Sequence, residues 1–196
     1  KQFVSWSQPW SKVSDWSFDA QDLHIQWFID GKLNVSWNCL DRHLEKRGDQ
    51  VALIWEGDDP KDDQKITYRQ LHAEVCRFAN VLKARGVKKG DRVCLYMPMV
   101  PAAAVAMLAC TRIGAVHSVV FGGFSPQSLS DRILDSDCRV VITADEGMRA
   151  GKRIPLKANT DSALEKCPNV HTVVVYQRTH GNVAMKPGRD IVYQDE

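Results

Sequence analysis

Two clusters of residues in this sequence have the types and spacing to hold a phosphate-bearing ligand. Phe121-Gly122-Gly123-Phe124-Ser125-Pro126 puts paired glycines ahead of a helix start. There the missing Cβ atoms allow close backbone approach, and free N–H groups meet an anion. Arg149, Lys152, Arg153 and Lys157 place four cations within nine residues. Arginine offers a planar fork that matches phosphate oxygens, and lysine a point charge. Each cluster alone has an ordinary alternative, a tight turn for the glycines and a solvated basic face for the cations. The glycine run is not a dinucleotide fingerprint, because the third glycine of G-x-G-x-x-G is missing. Other chemistries find less support. His43, His72, His117 and His171 have no partner at metal-ligand spacing. His117 falls in a predicted strand, and Asp41, Asp58, Asp59, Asp62 and Asp63 read mostly as turn and cap residues. Neither a G-x-S-x-G elbow nor a Walker A loop occurs.

Both clusters must be positioned by regular elements, and from Asn34 onward the sequence supplies them. Asn38–Leu44 reads as a short helix and Val51–Trp55 as a strand, with Glu56-Gly57-Asp58-Asp59-Pro60 as a turn. Thr67 and Gln70 have the spacing of a capping box, and Leu71, Val75, Phe78, Ala79 and Leu82 follow at helical spacing up to Gly86. Strand–helix alternation comes next. Strands are predicted over Arg92–Met97, Ala115–Phe121, Arg139–Thr143 and Val170–Tyr176. Helices are predicted over Pro101–Ile113, Pro126–Ser136 and Asp161–Cys167. The strands are apolar on both faces, as in a parallel sheet covered on either side. The expected fold is therefore α/β, a doubly wound and mostly parallel sheet with helices on both faces. In such sheets ligands bind beyond the carboxyl ends of the strands. Both clusters follow strands, so they share one edge.

All six tryptophans fall in the first 55 residues, ahead of the regular region. That stretch is expected to be an irregular, Trp-rich arm, wrapped on the domain or packed on a partner domain. The organisation expected is an arm with a first helix over residues 1–50 and an α/β portion over 51–196. The chain has 196 residues, 44% apolar and 26% charged, the composition of an ordinary folded domain. A net charge of +2 argues against a nucleic-acid partner. No apolar run approaches the roughly 18 residues of a membrane helix, so no membrane partner is expected. Six widely spaced cysteines with no C-x-x-C point to reduced, buried thiols in a cytoplasmic protein.

Longer motifs carry a family resemblance. Trp27-Phe28-Ile29-Asp30-Gly31-Lys32-Leu33-Asn34, Asn38-Cys39-Leu40-Asp41-Arg42-His43 and Ile54-Trp55-Glu56-Gly57-Asp58 resemble AMP-forming acetyl-CoA synthetases. So do Tyr96-Met97-Pro98-Met99-Val100-Pro101, Ile113-Gly114-Ala115-Val116-His117-Ser118 and Thr143-Ala144-Asp145-Glu146-Gly147. The resemblance implies part of a larger adenylate-forming N-terminal domain. The activity it implies is a two-step ligase reaction: acetate attacks the α-phosphate of ATP, then the coenzyme A thiol attacks the acetyl-adenylate, with Mg assisting. Phe121, Gly122 and Gly123, with Arg149, Ala150, Gly151 and Lys152, match family positions that contact coenzyme A. Lys152 keeps the charge of an arginine common there but lacks its fork, and Arg153 stands beside it. The family's phosphate loop, acyl pocket, magnesium ligands and C-terminal lysine have no counterpart in the sequence. The resemblance thus implies an N-terminal fragment, inactive alone, with no catalytic or metal residues and at most part of the coenzyme A site. Its partners would be acetate, ATP, CoA and the remainder of the polypeptide. A propionyl-CoA synthetase fragment and a free-standing nucleotide-binding module are the alternatives.

Overall fold

In this computed structural model the described residues are 3–59 and 61–196. Pro60, which closes the predicted turn, lies outside them. The arm is more regular than expected. Strands β1 (Lys12–Ser17) and β2 (His24–Ile29) form an antiparallel hairpin with Ser14 opposite Trp27 and Trp16 opposite Ile25. This register puts Trp16, Ile25 and Trp27 on one face, all exposed. The alternation is brief and interleaved with serine and aspartate, so it does not announce a strand. Trp6, Trp10 and Phe28 form a cluster with centroids 4.9 to 5.3 Å apart, Trp10 meeting both other rings edge-on. The arm is fastened by Asn38, whose Oδ1 accepts the Ser5 N–H at 2.7 Å and whose Nδ2 donates to the Ser5 carbonyl at 2.9 Å.

A short helix α1 (Val35–Cys39), a 3-10 turn (Asp41–His43) and α2 (Leu44–Arg47) replace the single helix expected over Asn38–Leu44. Strands β3 (Val51–Glu56) and β4 (Asp63–Thr67) pair antiparallel. Helix α3 (Tyr68–Ala84) opens on the complete Thr67–Gln70 capping box. Then follow β5 (Arg92–Tyr96), α4 (Pro101–Ile113), β6 (Val116–Val119), α5 (Pro126–Asp135) and β7 (Val140–Ala144). Pro101 opens α4 as predicted, and Gly114 ends it at φ +77°, a conformation glycine takes without strain. A hairpin of β8 (Gly147–Arg149) and β9 (Lys152–Ile154) precedes α6 (Leu156–Leu164), β10 (Thr172–Tyr176) and β11 (Asp190–Val192). The last helix thus starts five residues before the predicted Asp161, directly after Pro155.

The main sheet is five-stranded and parallel, in the order β11-β10-β7-β5-β6. From β5 the chain steps outward to β6, then returns past β5 to β7. This reversal puts α3 and α4 together on one face and α5 and α6 on the other. The fold is thus the doubly wound α/β sheet that the alternation implies. Val93, Cys94 and Leu95 of β5, Val140 to Ile142 of β7, and Val173 to Val175 of β10 are almost fully buried.

Candidate functional site

The reversal in strand order fixes where a site forms. To return from β6 to β7, the chain must cross above the carboxyl end of β5. Residues 121–125 make that crossing, and the β8–β9 hairpin rises beside them from the end of β7. The gap between β5 and β7 is the switch point at which open α/β sheets bind ligands.

Tyr96, the last residue of β5 and fully buried, lies beneath the crossing. Its hydroxyl donates to the Phe124 carbonyl at 2.7 Å, with the Gly122 carbonyl also in reach at 3.2 Å. Asn159 on α6 donates its amide to the same hydroxyl oxygen at 3.3 Å. Burial pushes the Tyr96 phenol up, so it keeps its proton. Above it the Phe121 and Phe124 rings meet edge to face, with centroids 5.8 Å apart. The Arg149 guanidinium carbon stands 5.3 Å from the Phe121 centroid, and that of Arg132 stands 4.6 Å from Phe124. Gly123 is tightly placed: a Cβ there would come 2.6 Å from Phe121 Cε1 and 3.1 Å from Arg149 Nη1.

The Arg149-Ala150-Gly151-Lys152 stretch, expected to be a loop, is the tip of a hairpin. Arg149 pairs with Lys152 across it, and the two residues between take φ +48° and +73°. Tight hairpin turns of this kind need positive φ at both central positions. Gly151 accepts this freely, whereas Ala150 is strained. Cross-strand partners share a face, so Arg149 and Lys152 stand side by side as like charges. Among the described residues neither has a carboxylate partner.

The other two cations of the run are separated from these. Arg153 points away and binds Glu146 Oε2 at 2.9 Å. Lys157 is a correction to the sequence reading. Its side chain is 1% exposed and its Nζ holds Asp161 at 2.7 Å, Asp190 at 2.9 Å and the Ala184 carbonyl at 2.8 Å. Burial would raise the Asp190 carboxyl, but hydrogen bonds from Arg189, the Lys186 backbone and Lys157 keep it below its usual value. Lys157 therefore ties α6 to β11 and faces no ligand.

Asp145 also escaped the sequence reading. Its buried carboxylate accepts the backbone N–H groups of Glu146 at 2.6 Å, Arg178 at 2.8 Å, Thr179 at 3.2 Å and Gly181 at 3.1 Å. It thus pins the loop after β10 to the end of β7. Tyr96 had a usable signal, since a tyrosine ending an apolar strand must find a partner for its hydroxyl. Among the described residues no group of three His, Cys, Asp or Glu side chains is arranged to hold a metal ion.

The family described as AMP-binding enzyme matches residues 40–190, and that described as acetyl-coenzyme A synthetase N-terminus matches residues 1–39. An acetyl-coenzyme A synthetase of Parvibaculum lavamentivorans is 66% identical over 193 residues, covering 98% of this chain and 30% of that protein. One from Magnetococcus marinus is 64% identical over 192 residues, with coverage of 98% and 30%. Among solved structures, acetoacetyl-CoA synthetase from Streptomyces lividans superposes with a TM-score of 0.85 at 27% identity, over 98% of this chain and 28% of that one. The chain thus spans about 30% of the length of the relatives it matches.

Proposed function

The chain belongs to the AMP-binding enzyme family, and from that premise we propose that it is the N-terminal portion of an AMP-forming acetyl-CoA synthetase. The whole protein would convert acetate, ATP and coenzyme A to acetyl-CoA, AMP and diphosphate. The role of this portion is to supply part of the coenzyme A surface, through Phe121, Gly122, Gly123, Arg149, Ala150, Gly151 and Lys152. One observation carries that reading: two cations without carboxylate partners among the described residues stand side by side, Arg149 against the exposed Phe121 ring, at the switch point of the sheet. Like charges held adjacent repel, and an anion between them turns that cost into attraction. Coenzyme A offers a 3′-phosphate, a diphosphate and a flat purine, which suit the cations and the ring. Arg149 supplies the fork, Lys152 the point charge, and the glycines the close approach.

The adenylation chemistry, with its magnesium, is proposed to belong to the rest of the polypeptide, because the phosphate loop and magnesium ligands that the family resemblance implies have no counterpart in this sequence. The chain alone is accordingly proposed to be inactive. Acetate-dependent exchange of labelled diphosphate into ATP by the purified 196-residue chain would overturn that statement. The six cysteines are all free thiols, which suits a reducing compartment such as the cytoplasm.

Arg149→Ala in the full-length protein tests the assignment. Losing a charge-assisted phosphate contact costs about 1.5–3 kcal/mol. That corresponds to a roughly tenfold to hundredfold rise in KM for coenzyme A. Adenylate formation, followed by diphosphate exchange, should hardly change. Equal loss in both half-reactions, or an unchanged KM for coenzyme A, rejects the reading.

A further inference from the structure

We propose that Tyr96, oriented by Asn159, is a positioning residue that sets the pitch of the Phe121–Phe124 crossing and so the placement of Phe121 against Arg149. The inference rests on the reading of this edge as a coenzyme A surface and names what holds that surface in shape.

Three elements converge on one hydroxyl. Tyr96 ends β5, its acceptors lie in the crossing that follows β6, and Asn159 belongs to the helix that follows β7. The backbone under the ring is tied as well: Thr143 on β7 donates its hydroxyl to the Tyr96 carbonyl at 3.0 Å, and Thr160 on α6, whose hydroxyl donates to the Leu156 carbonyl at 2.8 Å, lies 3.2 Å from the Thr143 hydroxyl. Asn159 occupies a lone pair of the hydroxyl oxygen, which directs the single proton toward the crossing. The crossing itself has little slack, since Gly123 lies close under both Phe121 and Arg149. A shift of a few tenths of an ångström in the Gly122 and Phe124 carbonyls is therefore passed to the ring on which Arg149 rests. Among the residues of the proposed coenzyme A surface, Tyr96 reaches only the Gly122 carbonyl with its hydroxyl. It acts through the crossing, as supporting residues do when they hold a binding constellation to its working geometry.

The full-length protein carrying Tyr96→Phe tests this, because phenylalanine fills the same buried volume and removes only the hydroxyl. The loss of one neutral hydrogen bond predicts a rise of about three- to tenfold in KM for coenzyme A. Diphosphate exchange and kcat should stay within about twofold, a split that a merely structural role does not produce. Asn159→Leu should raise the same KM by less, and the double variant should be no worse than Tyr96→Phe alone, since both act through one hydroxyl. If Tyr96→Phe lowers the folded yield, Asn159→Leu and a direct titration with coenzyme A carry the test. An unchanged KM in Tyr96→Phe, equal damage to both half-reactions, or additive effects of the two substitutions overturn the positioning role. Arg149→Ala is measured alongside. If it raises KM while Tyr96→Phe does not, only the positioning role fails. If Arg149→Ala itself leaves KM unchanged, the coenzyme A reading fails and the positioning role with it.

Discussion

Ala150 shows how a single residue can carry strain at a proposed binding edge. It holds φ +48° at the tip of the hairpin, where an L side chain is disfavoured and glycine is not. The conformation sets Arg149 directly opposite Lys152, so the strain belongs to the arrangement of the two cations. Replacing Ala150 with glycine relieves it, although a freer unfolded chain offsets part of the gain. We expect Ala150→Gly to stabilise the fold by about 0.5–1 kcal/mol. Chemical denaturation checks this, and a loss of stability would show that the Ala150 methyl makes a contact worth more than the strain. Lys157 makes the converse point at the same scale. A basic residue in a basic run is buried and spent on Asp161 and Asp190, because α6 turns it away from the edge.

Two acidic residues do comparable work between elements. Asp145 joins the end of β7 to the loop after β10 by accepting four backbone N–H groups. Asp145→Ala strands those donors in a buried place, so we expect a loss of about 3 kcal/mol or more. Hydrogen exchange at residues 178, 179 and 181 should accelerate well beyond the rest of the sheet, and uniform protection would refute the role. Asp41 joins the 3-10 turn to the end of α4, where Arg112 grips it at 2.7 and 2.8 Å. The Arg112 hydrogen bond holds the Asp41 carboxyl below its ordinary value of 3.8. A depressed carboxyl stabilises the fold above its unfolded value and loses that contribution as pH falls through its folded value. Asp41→Asn should therefore cost stability at neutral pH, and the cost should shrink as pH falls below the ordinary carboxyl value of 3.8. Urea melts at pH 7 and pH 3 test this, and a constant difference between the two would remove the ion pair as its source.

At the scale of the whole molecule, the sheet is well covered and the arm is not. Both faces of the sheet carry helices, yet the β1–β2 hairpin turns Trp16, Ile25 and Trp27 outward, each more than half exposed. Contiguous apolar surface of several hundred Å² drives association. We expect the 196-residue chain by itself to self-associate, and Trp16→Ser with Trp27→Ser to suppress this without lowering the melting temperature. Sedimentation velocity decides it: a clean monomer of the parent chain at high concentration would rule the hairpin out as a sticky face.

The sequence by itself determined the α/β alternation, the start of α3 and both ends of α4. These depend on local signals, namely apolar runs, a capping box, Pro101 and Gly114. It also picked out the two stretches that meet at the proposed edge, because glycine pairs and basic runs are visible as text. What it could not decide depends on which distant groups become neighbours. β1 and β2 are stabilised by cross-strand pairing that short alternation does not announce, and β11 is three residues long and exists only beside β10. The division of four cations into two without carboxylate partners among the described residues and two held by carboxylates follows from the hairpin register and from carboxylates as distant as Asp190. The partnership of Tyr96 with Asn159 spans 63 residues. It forms because β6 leads back over β5, and a return in strand order is a property of the folded chain that no local spacing encodes.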